Sequence, residues 1–84
     1  MKPIELSRCL QYAKAKCDSL KSEIIDNVFV DAYHGDSSRV YGIRFCIRFC
    51  GIADAYYTGT CETENELKDS IDRQINKINK EFCD

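Results

Sequence analysis

From Ile4 to Ile25 the apolar residues Leu6, Leu10, Ala13, Cys17, Leu20 and Ile24 recur at spacings of four, three, four, three and four. That period places them on one face of an α-helix. Pro3 suits the first turn, where a missing N–H leaves no bond unmade. After Asp26 and Asn27 the pattern changes. Val28, Phe29, Val30, Ala32 and Tyr33 read as a first strand, and His34-Gly35-Asp36-Ser37-Ser38 reads as a turn. Next, Tyr41, Ile43, Phe45, Ile47 and Phe49 alternate with Gly42, Arg44, Cys46, Arg48 and Cys50, the period-two signature of a half-buried strand. Gly51 supplies another turn, and Ala53 to Thr60 reads as a third strand through Tyr56, Tyr57 and Thr58.

Thr63-Glu64-Asn65-Glu66 matches a capping box, which starts a second helix carrying Leu67, Ile71, Ile75, Ile78 and Phe82 on one face. Glu62 and Glu64 suit its positive N-terminus, Lys77 and Lys80 its negative C-terminus. The predicted architecture is α+β, in the order α-β-β-β-α: a three-stranded antiparallel meander with two helices packed on one face. Both connections between strands are short, as an antiparallel meander requires. The expected buried face of the sheet holds Tyr41, Ile43, Phe45, Ile47 and Phe49, with Val28, Val30, Ala55 and Tyr57.

Length fits this picture, because 84 residues give room for a single core, so residues 1–84 read as one domain. Hydrophobic residues make up 44% and charged residues 31%, near globular averages, which argues against disorder and coiled coil. Pro3, Glu5, Ser7 and Arg8 interrupt any apolar leader, and the run around Phe45 to Phe49 is too short to span a bilayer. A soluble, cytoplasmic protein is expected, with no membrane partner.

The formal charge of −2 lacks the basic excess of most nucleic-acid modules. The six cysteines are expected to be reduced thiols in a cytoplasmic chain. Cys9 and Cys17 fall about 12 Å apart along a helix at roughly 1.5 Å per residue, beyond the reach of a disulfide. Cys46 and Cys50 fall about 13 Å apart along a strand at roughly 3.3 Å per residue. No C-x-x-C pair is present to build a zinc knuckle, so neither metal nor cofactor is expected.

His34 is the single histidine, beside Asp36, Ser37 and Ser38. Neighbours on one turn cannot orient one another as a nucleophilic triad requires. With no phosphate loop, H-E-x-x-H or EF-hand motif either, the chain is expected not to be an enzyme.

What remains is the sheet face without helices. Turning Val28 and Val30 inward sends Phe29, Asp31 and Tyr33 outward, joined by Arg44, Cys46, Arg48 and Cys50 and by Asp54, Tyr56 and Thr58. A bland reading makes Asp31, Arg44, Arg48 and Asp54 a cross-strand charge ladder. A functional reading makes Phe29, Tyr33, Arg44, Arg48 and Tyr56 partner-binding residues, since aromatics and arginine anchor interfaces. The expected partner is a protein, with a homodimer, a self-associating structural domain and a nucleic-acid module that stacks bases as alternatives.

The order helix, three strands, helix resembles the double-stranded-RNA-binding domain in topology. That family places lysines at the start of its second helix to grip phosphates, where this chain has Glu62, Thr63, Glu64, Asn65 and Glu66. The RNA function therefore does not carry over. The small size, near-neutral charge and self-contained α+β build also resemble phage-encoded inhibitors of host defence complexes, anti-CRISPR proteins among them. That resemblance implies a protein-binding inhibitor and transfers no residues.

Overall fold

The computed structural model describes residues 1–20, 23–36 and 39–82. The element order is α1 (Pro3–Cys17), β1 (Ile25–His34), β2 (Tyr41–Phe49), β3 (Ile52–Tyr57) and α2 (Glu64–Phe82). The strands form one antiparallel sheet in the order β1-β2-β3. Both helices lie on one face of it, as the patterning predicts. Contacts between them advance together, from Cys9 and Arg8 at Glu64 to Tyr12 and Lys16 at Asp72, so the helices run side by side in the same direction.

The core forms where the two periodicities meet. Ile43, Phe45 and Ile47 of β2 pack with Leu67, Ile71, Ile75 and Ile78 of α2 and with Cys9 and Ala13 of α1. Six of these large side chains, Phe45, Ile43, Ile47, Leu67, Ile71 and Ile78, retain essentially no exposure. Each stabilises the fold by about 1.5–3 kcal/mol relative to remaining in water.

Helix boundaries follow local chemistry. At the start of α1 Glu5 accepts a hydrogen bond from the Lys2 backbone N–H at 2.9 Å, with Pro3 in the first turn. At the start of α2 the Thr63 hydroxyl accepts from the Glu66 N–H at 3.2 Å. The predicted first helix was too long. It stops at Cys17, and the chain then tightens through bonds from Ser19 N–H to Lys16 and from Leu20 N–H to Cys17. Leu20 still packs on the core, but from the connection, and Ile24 is exposed. Their helical spacing was therefore coincidental, and Ile25 already belongs to β1.

The β2–β3 turn contains only Cys50 and Gly51, both with positive φ, at 49° and 80°. A two-residue turn of this hand matches the twist of the strands it joins. Its shortness pairs Phe49 with Ile52, and hence Phe45 with Tyr56 and Arg44 with Tyr57. The third strand was predicted over Ala53 to Thr60. Its regular part ends at Tyr57, where Thr58 leaves the ladder and its hydroxyl accepts the Ile43 N–H at 2.8 Å. Pairing resumes between Cys61 and Tyr41. Of the predicted His34–Ser38 turn, Ser37 and Ser38 lie outside the described residues, His34 ends β1, and Gly35 N–H bonds to Val40.

Candidate open sheet face

Register decides what the uncovered face carries. Across the three strands it presents Asn27, Arg48 and Ala53 in one row, Phe29, Cys46 and Ala55 in the next, then Asp31, Arg44 and Tyr57. Tyr33 and Gly42 follow as a pair. Four of the five expected binding residues, Phe29, Tyr33, Arg44 and Arg48, therefore share this face. Tyr56 does not.

Tyr56 is only 7% exposed and lies on the helix side, where its hydroxyl donates to Glu81 and its ring meets Phe82 edge-on. Burial and the Glu81 bond push its phenol pKa upward. Four more placements are corrected by the same register. Ala55 and Tyr57 point outward instead of into the core, Thr58 is buried, and Asp54 sits on the helix side. The cause is the two-residue turn: pairing Phe49 with Ile52 makes odd positions of β2 oppose even positions of β3. A one-residue difference in strand parity exchanges every side chain between faces.

Tyr57 is the residue that sequence patterning missed, and the signal for it was the Cys50-Gly51 pair read as a complete two-residue turn. It is 52% exposed and meets the Tyr33 ring edge-on at 5.7 Å between centroids. The hydroxyl end of the Tyr33 ring covers Gly42, where an added Cβ would stand 2.5 Å from the ring carbon Cζ. Its hydroxyl donates to the Thr58 carbonyl. Burial raises the Tyr33 pKa, against the opposing pull of that bond. Tyr33 is thus a fixed part of the surface.

Of the expected charge ladder, only half forms. Arg44 grips Asp31 through two hydrogen bonds, one of them from Nε at 2.9 Å, and this raises the arginine pKa. Because Asp54 faces the other way, Arg48 forms no ion pair among the described residues. Along the paired rows two arginines stand with Asp31, and Asp26, in the β1 bulge, borders a shallow cavity with Arg48. Phe29, 51% exposed, links the face to another shallow cavity of about 440 Å³ bordered by Lys14, Cys17 and Val30.

Among the described residues Cys9, Cys17, Cys46, Cys50 and Cys61 are free, and no group of three or more His, Cys, Asp or Glu could hold a metal ion. Burial pushes the Cys17 thiol up to about 11, with the Asp18 charge adding to it. Burial likewise raises Cys9. Protonated thiols of this kind are poor nucleophiles. His34 sets its ring edge-on to Tyr41, with Nδ1 3.4 Å from the Gly35 carbonyl oxygen.

No described helix is long and apolar enough to cross a membrane. No family model, curated protein or solved structure matches the chain.

Proposed function

We propose that this chain is a non-enzymatic binding protein that acts through protein–protein contact on the open sheet face. The observation that carries the reading is the presence, on one uncovered sheet face, of half-exposed rings and an arginine that forms no ion pair among the described residues. Phe29, one row from Arg48, and Tyr57, opposite Arg44, each leave about half their surface to solvent. Aromatic and arginine side chains dominate interface energetics because they bring large contact area, to which arginine adds directed, charged hydrogen bonds. The matching partner surface is apolar with a carboxylate placed for Arg48. The role of an inhibitor of a host defence complex rests on the resemblance in size, charge and build.

The test is capture from a lysate of the source cell by the tagged protein, with and without nuclease, beside two variants. A protein retained in both halves, lost with Phe29→Ala plus Arg48→Glu and kept with Lys80→Glu, is the expected result. Recovery that vanishes with nuclease would assign the face to nucleic acid instead. Retention by the Phe29→Ala, Arg48→Glu variant would remove the open face from the interaction.

A further inference from the structure

The free edge of β3 is exposed at every position but Tyr56. Tyr41 exchanges both backbone bonds with Cys61, and Ile43 accepts from Thr58, so odd positions of β2 turn their polar groups toward β3. Their partners Ile52, Asp54 and Tyr56 face inward accordingly. Ala53, Ala55 and Tyr57 then direct N–H and C=O away from the sheet, and no further strand lies beyond them among the described residues.

We propose that β3 pairs antiparallel with β3 of a second copy about a two-fold axis at Ala55, joining two three-stranded sheets into one of six. The register follows from which groups point outward. Ala55 lies opposite Ala55 of the second copy, and Ala53 opposite its Tyr57, an exposed ring against a methyl group at two equivalent places. On the helix side Asp54 lies opposite Tyr56 of the second copy.

Charge complementarity favours a second copy, through Lys77 at one side of the Tyr56 ring, while Glu81 holds the Tyr56 hydroxyl. Lys77 Nζ stands 5.8 Å over the centroid of the Tyr56 ring. Pairing Asp54 with Tyr56 of the second copy therefore brings its carboxylate to Lys77 of that copy, and symmetry repeats the contact. Asp54 now accepts a hydrogen bond from its own Ala55 N–H at 3.0 Å. On pairing it gives that N–H to the ladder and takes the lysine. The edge of β1 is less open, because it carries a bulge between Ile25 and Asn27 and Asn27 already accepts the Val28 N–H.

Sedimentation equilibrium over a series of concentrations tests this independently of the open-face reading, since Arg48 plays no part in the edge. The expected mass rises from 9.7 kDa toward twice that value. Asp54→Lys and Lys77→Asp each raise the dimer dissociation constant about tenfold, and the double exchange restores it. Ala55→Pro removes an N–H that takes no part in the β2–β3 ladder and bonds only to the neighbouring Asp54 carboxylate, so it abolishes the dimer with an unchanged circular dichroism spectrum. A mass of 9.7 kDa at every concentration overturns the proposal. So does a dimer indifferent to both Ala55→Pro and the charge exchange.

Discussion

The two faces of β2 are built from the same nine residues and held by different physics. On the covered side Ile43, Phe45 and Ile47 are sealed beneath the helices, and their contribution scales with the area and volume they bury. On the open side Arg44 and Arg48 are exposed and gain little from burial. Order there comes from particular geometries, a tyrosine laid over a glycine and an arginine forked onto an aspartate. A covered face tolerates changes of identity that conserve volume. An open face tolerates changes of volume that conserve its few directed contacts.

Substitution on the two sides should therefore differ in size and kind, beginning with the covered face. Phe45→Ala leaves a cavity between β2 and both helices and is expected to destabilise the fold by about 3–5 kcal/mol, read from urea unfolding. For a chain of this length such a loss approaches the whole stability. Phe45→Leu should keep a cooperative transition. A loss below about 1 kcal/mol for Phe45→Ala would show that the helices settle into the space, and that the two faces differ less than their burial implies.

Gly42→Ala addresses the open face by a route that burial cannot explain. The new methyl stands 2.5 Å from the Tyr33 ring, so the tyrosine must leave Gly42, its bond to Thr58 and its contact with Tyr57. The expected cost is about 1–3 kcal/mol. The same change in a Tyr33→Ala background should cost no more than a few tenths of a kcal/mol, since the obstructing ring is gone. An equal cost in both backgrounds would place the effect in the backbone of β2 and not in the tyrosine.

These two experiments also mark what was readable from the residues alone. Periodicity reports burial, so the covered face, the helix order and the meander were legible: Ile43, Phe45 and Ile47 alternate, and Leu67, Ile71, Ile75 and Ile78 repeat at helical spacing. Apolar character without a change of period misled at the end of α1, where Leu20 reaches the core from the connection rather than from the helix. The open face depends on register, which one turn sets. Treating Gly51 alone as the bend put Tyr56 outside and Tyr57 inside; the two-residue Cys50-Gly51 turn reverses them. The embrace of Gly42 by Tyr33 joins residues of different strands and leaves no periodic trace.

The smallest effect belongs to the ion pair between Asp31 and Arg44, whose side chains remain about half exposed, at 52% and 46%. Solvent screens such a pair, and the two residues face each other directly across β1 and β2. A double-mutant cycle with Asp31→Ala and Arg44→Ala is expected to give a coupling of about 0.2–1 kcal/mol, shrinking as salt is raised. The fork geometry argues for the upper part of that range, because two donors on one guanidinium meet both oxygens of one carboxylate. A coupling of several kcal/mol, insensitive to salt, would mean that the pair is shielded from water in solution. Since none of the described residues covers it, that result would point to a second molecule seated on the open face.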